Sequence, residues 1–256
     1  MIDFVDLHCH TLFRVDDGAQ DEGTMQKMLD IAYSNGTRYI CFTPHFKIYE
    51  FEDEDEMYAQ MERIERRFSV AREYACEKYS DLKLFLGNEI MYHSDISDSL
   101  FSKRCHFLGN SNFALIEFSP DSSDYEIENT VIKLLRKGIC PVIAHVERYS
   151  AFVKDLSFAK SLKENGALLQ ANARAITKFK IGKTAKFLKN ALKKHLIDVV
   201  ASDAHNDTTF SPDLSKAYAT VAKNCGTDYA DKIFHHTPLS ILLCQFHSVS
   251  SNEQKK

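Results

Sequence analysis

At 256 residues and 44% hydrophobic, the chain is long enough to bury one sizeable core and has the usual size of a single α/β barrel. A formal net charge of −4 gives no basic footprint for nucleic acid, and no apolar run reaches the ~18 residues of a membrane span, so neither nucleic acid nor membrane insertion is expected. Residues 1–10 lack the basic start and apolar stretch of a signal peptide. The seven cysteines (Cys9, Cys41, Cys76, Cys105, Cys140, Cys225, Cys244) are scattered with no Cys-x-x-Cys, so reduced thiols and a cytoplasmic location are expected.

In chain order, seven short apolar runs read as strands: Phe4–His8, Arg38–Thr43, Lys83–Glu89, Phe113–Phe118, Pro141–His145, Ala167–Ala171 and Ile197–Ser202. Runs apolar on both faces belong in a buried parallel sheet. Amphipathic stretches lie between them. Met25, Met28, Leu29 and Ala32 repeat at helical spacing before Gly36. Met57, Met61, Ile64, Phe68 and Ala71 mark a long helix whose acidic opening, Glu50 to Glu56, suits a helix N-terminus. Ile127, Val131, Leu134 and Leu135 precede Gly138, Leu156, Ala159 and Leu162 precede Gly166, and Phe187, Leu188, Ala191 and Leu192 precede the seventh strand. Strand, helix, strand in this rhythm predicts βαβ units in a closed or distorted (β/α) barrel of seven or eight units. Residues 1–247 read as one domain, and 248–256 as a disordered polar tail.

The chemistry lies in what ends each strand. Strand one runs into His8-Cys9-His10, and Asp16 and Asp17 follow in a turn closed by Gly18. Strand two ends at His45, strand three at Glu89, strand four holds Glu117, strand five ends at His145 with Arg148 three residues on, and strand seven ends at Asp203 and His205. Ligands bind at the carboxyl ends of strands in parallel α/β folds, so nine side chains of metal-binding type converge on one face. Each alone has a plainer reading as a packed histidine or buried ion pair; all nine together do not. His-x-His on one strand puts both rings on the same face and turns Cys9 to the other, where it packs. Five imidazoles and four carboxylates, with no thiolate, suit Mn, Fe, Zn or Mg, and nine ligands suit two or three ions. Such a cluster activates water and clamps the oxygens of an in-line displacement. Three divalent ions against four carboxylates leave a positive surplus matched to a phosphate dianion. Arg148 is placed to add a planar phosphate donor, with a surface salt bridge to Glu147 as the alternative. His93, His106, His195, His235, His236 and His247 lie outside the pattern. No Cys-x5-Arg, Gly-x-Ser-x-Gly or phosphate-binding Gly-Lys loop occurs.

Asp6-Leu7-His8-Cys9-His10, Val15-Asp16-Asp17-Gly18-Ala19 and Thr43-Pro44-His45 resemble the opening of the PHP (polymerase and histidinol phosphatase) superfamily. More closely they resemble the bacterial manganese-dependent protein tyrosine phosphatases of capsule and exopolysaccharide operons. Gly87-Asn88-Glu89-Ile90, Ala114 to Phe118, Pro141 to Tyr149 and Ala201 to Asn206 recur in order, so the likeness spans about residues 1 to 245. The resemblance implies a distorted (β/α)7 barrel with three divalent ions, Mn²⁺ first and Fe or Zn as alternatives. It implies His8, His10, Asp17, His45, Glu89, Glu117, His145, Asp203 and His205 as metal ligands, with Asp17 and His45 also in the catalytic centre and Arg148 on the phosphate. The implied substrate is a phosphotyrosine protein, the tail of a bacterial tyrosine kinase that controls polysaccharide export. Two departures stand out: Phe210 falls where the family usually carries an Arg, and Phe46-Lys47-Ile48 is less basic than expected, so weak phosphate affinity is predicted.

Other readings are a PHP phosphatase of a small, histidinol-phosphate-like phosphomonoester and a non-catalytic metal-binding module. A metal-dependent amidohydrolase also opens with His-x-His, but commonly bridges its metals through a strand-four lysine, where this chain has Glu117. Oligomeric state is not legible in the sequence.

Overall fold

The structure, a computed structural model, describes residues 2–93, 105–109, 111–178 and 181–243. Its strands are β1 (Phe4–Cys9), β2 (Thr37–Phe42), β3 (His45–Phe46), β4 (Lys83–Leu86), β5 (Glu89–Met91), β6 (Phe113–Glu117), β7 (Cys140–Ile143), β8 (Leu168–Asn172) and β9 (Val199–Ala201). Every pairing is parallel, in the orders β1-β2-β4 and β3-β5-β6-β7-β8-β9. β2 and β3 form one stave broken at Thr43-Pro44, and β4 and β5 another broken at Gly87-Asn88. Seven staves result, as the periodicity predicts. The barrel is distorted as expected, with one break inside the run Lys83–Glu89 and the other at the end of the run Arg38–Thr43.

The breaks have local causes. Pro44 has no N–H to give the ladder. The Glu89 amide reaches across to the carbonyls of Thr43 and Pro44 at 3.3 and 3.2 Å. The Asn88 amide group also donates to the Pro44 carbonyl, at 3.0 Å, and its Oδ1 accepts the His106 amide at 2.7 Å. A Cβ on Gly87 would lie 3.2 Å from both Cys41 Sγ and Leu108 Cδ2, so only glycine fits the kink without displacing neighbours. The ring closes between the last stave and the first: the Asp203 amide donates to His8 O and the His10 amide to Ala204 O, each at 2.8 Å.

Helices clothe the staves: α1 (Glu22–Ser34), α2 (Glu54–Lys78), α3 (Asp124–Arg136), α4 (Ser150–Lys154), α5 (Leu156–Glu164), α6 (Ala173–Lys178), α7 (Lys183–Lys193), α8 (Ser215–Cys225), α9 (Thr227–Asp231) and α10 (Thr237–Leu242). Asp21 and Asp53 cap α1 and α2 by accepting the amides of Thr24 and Glu56 at 2.7 and 2.9 Å. The acidic run before Met57 thus begins a helix, with Glu54, Asp55 and Glu56 in the first turn. Met25, Met28, Leu29 and Ala32 are buried as spaced, and each large apolar side chain contributes about 1.5–3 kcal/mol by leaving water. Inside the barrel Val5, Leu7, Cys41, Leu115, Val142 and Val199 form one cluster. The amino-terminal end of β1 is sealed by Phe4 against Tyr218 and Phe234, with ring centroids 5.1 and 6.1 Å apart. That leaves the opposite end, where the strands finish, free for a site. Among the described residues no helix is long and apolar enough to cross a membrane. Residues 248–256, read as a polar tail, lie outside the described residues.

Candidate metal centre

All nine side chains singled out in the sequence meet at the carboxyl ends of the staves. Glu89, at the first position of β5, is their hub. Its Oε2 lies 3.3 Å from His8 Nε2, 3.2 Å from His10 Nε2 and 3.0 Å from His45 Nδ1, and its Oε1 lies 2.8 Å from His145 Nε2. Asp203 Oδ1 stands 3.4 and 3.5 Å from Nε2 of His8 and His10. Glu117 reaches His145 Nε2 at 3.4 Å and His45 Nδ1 at 3.7 Å. Asp17, exposed at the mouth, has Oδ1 3.5 Å from Nε2 of both His45 and His205. Three groups result: His8, His10, Glu89 and Asp203; His10, Asp17, His45 and His205; and His45, Glu89 and Glu117. Within each, the ligand atoms lie within 4.8 Å of one another.

The donor set fits divalent cations on its own hydrogen bonding. His8 Nδ1 contacts Gln170 Oε1 at 3.2 Å and His10 Nδ1 contacts Asp16 Oδ2 at 2.7 Å. A proton on each Nδ1 satisfies these acceptors and leaves both Nε2 atoms as lone pairs, which face each other at 3.2 Å. Glu117 Oε2 is buried with no hydrogen-bond partner, and His45 Nδ1, though 3.0 Å from Glu89 Oε2, is not in hydrogen-bonding orientation to it. Lone pairs turned on one another in a dry site cost free energy unless a cation sits among them.

Without a cation the surrounding carboxylates raise His8 and, well above its ordinary value, His10 against the effect of burial, so a cation entering there takes the place of protons. Burial alone would raise the Glu89 carboxyl, yet His8 and the neighbouring imidazoles hold it well below the usual carboxylate range. Asp203 is held low in the same way, against burial, by His8 and His10. Glu117 is pushed up to about 7, first by burial and then by the Glu89 charge. Burial lowers His145 and His205, keeping their rings in the neutral form a cation needs. Backbone strain marks the same places, since His145 and Asp203 adopt φ of +28° and +53°.

Several supporting residues are not among the nine candidates. Asp16 holds His10, and burial is overcome by the His10 charge so that its carboxyl falls to about 2. Its turn needs Gly18, where a Cβ would lie 1.9 Å from the His10 carbonyl oxygen. Gln170 Oε1 also accepts the His145 amide at 2.7 Å, and its amide group donates to Asn172 Oδ1 at 2.8 Å. Asn172 in turn donates to Asp203 Oδ2 at 2.7 Å. The available signal was two amides at i and i+2 ending an otherwise apolar strand. Tyr149 Oη stands 3.2 Å from His145 Nδ1. Cys9 faces away, buried with its Sγ 3.6 Å from the Cys41 carbonyl, and burial keeps it a thiol. Among the described residues His93, His106, His195, His235 and His236 join none of these groups, and His247 lies outside the described residues.

Arg148 pairs with Asp203 Oδ2, not with Glu147. Glu147 is buried, its Oε1 accepting the Asn172 amide at 3.1 Å. Arg148 lines a cavity of about 470 Å³ with Asn172, Arg174, Asp203 and Phe210. Phe210 does not leave that side of the site without a cation, as its identity suggested: the Arg174 guanidinium carbon lies 3.8 Å from the centre of its ring.

A parallel (β/α) barrel with imidazoles and carboxylates gathered where its strands end defines a metal-dependent hydrolase. The match to the family model for capsular polysaccharide synthesis, CpsB/CapC, covers residues 4–243. The chain belongs to this CpsB/CapC family. It is 35% identical over 246 residues to the tyrosine-protein phosphatase CpsB of Streptococcus pneumoniae, covering 94% of this chain and 99% of that one. It is 29% identical over 226 residues to the tyrosine-protein phosphatase YwqE of Bacillus subtilis strain 168, covering 88% and 86%. A solved structure from work on YwqE and CpsB, described as metal-dependent tyrosine phosphatases, superposes with a TM-score of 0.82 at 26% identity over 93% of this chain and 94% of that one. Histidinol phosphate phosphatase of Lactococcus lactis, at 16% identity and a TM-score of 0.54 over 88% and 94%, shares the fold.

Proposed function

We propose that this chain is a metal-dependent protein-tyrosine phosphatase, a phosphoric monoester hydrolase of capsular polysaccharide synthesis, acting in the cytoplasm as one domain over residues 1–247. The observation that carries the reading is the Glu89 hub, one carboxylate facing four imidazoles, in a chain similar over nearly its whole length to tyrosine phosphatases. His8, His10, Asp17, His45, Glu89, Glu117, His145, Asp203 and His205 would hold three divalent ions, with Mn²⁺ ahead of Fe and Zn. Bound there, such ions lower the pKa of water and draw charge from the phosphoryl group.

The chain's own residues do the rest. Asp16 and Gln170 orient His10 and His8 so that both Nε2 lone pairs face the centre. Asn172 and Arg148 hold Asp203 from its other oxygen. Arg148, half-exposed at the cavity wall, has further N–H donors for phosphoryl oxygens, and its planar fork matches their geometry. Asp17 and His45 stand at the mouth, where the phosphate enters. The physiological substrate in this reading is the phosphotyrosine tail of a bacterial tyrosine kinase that governs polysaccharide export.

Metal content by mass spectrometry, with turnover of a phosphotyrosine peptide and p-nitrophenyl phosphate under Mn²⁺, Zn²⁺ and chelator, tests this. Two to three ions per chain and metal-dependent turnover of the peptide are expected. Full turnover in chelator with metal verified absent ends the reading.

A further inference from the structure

A second cavity, of about 360 Å³, adjoins the one beside Arg148 and shares Arg174, Lys178, Ser202 and Phe210 with it. The Arg174–Phe210 stack stands between them as a partition. Phe210 meets His205 of the candidate metal centre edge-on, with ring centroids 6.2 Å apart, and the Arg174 guanidinium carbon stands over the same ring, 3.8 Å from its centre. A guanidinium stacked this way loses conformational freedom but keeps its N–H donors in the plane of the fork. Among the described residues no carboxylate pairs with Arg174 or Lys178, in contrast to Arg148, which is bound to Asp203. Elsewhere in the second cavity the charges cancel, because Lys216 Nζ lies 3.7 Å from Asp213 Oδ2. Thr208 and Thr209 complete its wall with hydroxyl groups. Two unpaired cations therefore face a polar hollow one ring away from the metal centre, in a chain that is acidic overall.

We propose that this second cavity is the subsite for an acidic side chain next to the phosphotyrosine, read by Arg174 held against Phe210. The inference rests on the phosphatase reading above and adds peptide specificity to it. The phosphoryl group occupies the Arg148 side of the partition, and the flanking carboxylate occupies the far side with Arg174 and Lys178.

The test uses three phosphotyrosine peptides that differ only in the neighbouring residue, Glu, Ala or Lys, with the metal-loaded full chain. The wild type is expected to favour the Glu peptide over the Ala peptide by about tenfold in kcat/KM, the lower end of what a hydrogen bond to a charged group contributes. Arg174→Ala brings that ratio to about one, and Phe210→Ala lowers it partway by releasing the guanidinium. Arg174→Glu inverts the order towards the Lys peptide, a result no folding defect can imitate. A wild-type ratio of one, a ratio kept in Arg174→Ala, or an equal loss on all three peptides overturns the subsite. Absence of turnover on every peptide by the metal-loaded wild type overturns the phosphatase reading, and this inference with it.

Discussion

Asp16 Oδ2 lies 2.7 Å from His10 Nδ1 and also accepts the His45 amide at 3.1 Å, so one carboxylate orients two candidate ligands from two staves. Partners of this kind fix the tautomer of a metal-binding imidazole, and their loss typically costs 10–100-fold in metal affinity. Asp16→Asn should weaken metal binding by about that factor while the fold persists. Competition against a calibrated chelator measures it, and wild-type affinity would show that His10 is held by other means.

Metal removal should be visible in stability as well as turnover. Ions that bind only the folded chain stabilise it by about 2.7 kcal/mol at a hundred times the dissociation constant. Stripping should therefore lower Tm by several degrees. Adding Mn²⁺ back should restore both Tm and phosphatase activity. Calorimetry with and without metal reads the first, and an unmoved Tm would mean that the cluster binds ions weakly.

Arg148→Ala should lower kcat/KM on the order of 10²-fold or more, as for loss of a preorganised donor at a developing oxyanion. Because Arg148 also contacts Asp203, metal content must be measured on the same sample and is expected to stay near the wild-type value. Arg148→Lys should rescue only partly, since an ammonium lacks the planar fork. Unchanged kinetics in the alanine variant would remove Arg148 from the phosphate.

Far from the site, Lys163 pairs with the largely buried Asp198, whose Oδ2 accepts the Leu169 amide at 3.0 Å. Burial raises the Asp198 carboxyl above its ordinary value despite the lysine. A carboxyl raised on folding contributes stability that is full below its unfolded pKa and is lost as pH rises through the folded pKa. Lys163→Met leaves the charge unpaired, and should cost about 3 kcal/mol at neutral pH. The deficit should shrink as pH falls towards 4, because a protonated Asp198 needs no cation. Denaturant midpoints across pH 4 to 8 check the sign, and a deficit independent of pH would contradict it.

The candidate ligands were legible in the sequence because a parallel barrel delivers strand ends to one face, so His8, Glu117 and Asp203 could be grouped without knowing a single distance. The His-x-His spacing likewise placed Cys9 in the core. What supports the ligands was less legible. Gln170 and Asn172 look like ordinary strand residues until β8 is seen beside β7 and β9. The stack of Arg174 on Phe210 joins residues from α6 and from the loop after β9, and no local pattern foretells it. The break at Gly87 falls inside the single run Lys83–Glu89, since apolar periodicity does not register a kink of one or two residues, and the short β3 beyond Pro44 lies past the end of the Arg38–Thr43 run. Three short helices near the carboxyl end, α8 to α10, were not anticipated either.

The seam between the last stave and the first carries two backbone hydrogen bonds, and on either side of it stand His8 and His10, Asp203 and His205. Nearly the whole chain separates those two pairs in sequence. During synthesis the amino-terminal pair leaves the ribosome long before its counterpart exists, and no ion can be shared across the seam until residue 205 has emerged. Capture of an ion by the two groups that span the seam would thus be a late event in the life of each molecule, and an ion held there would act as a rivet on the joint that closes last. In the stripped protein this joint should be the first part of the barrel to open to hydrogen exchange.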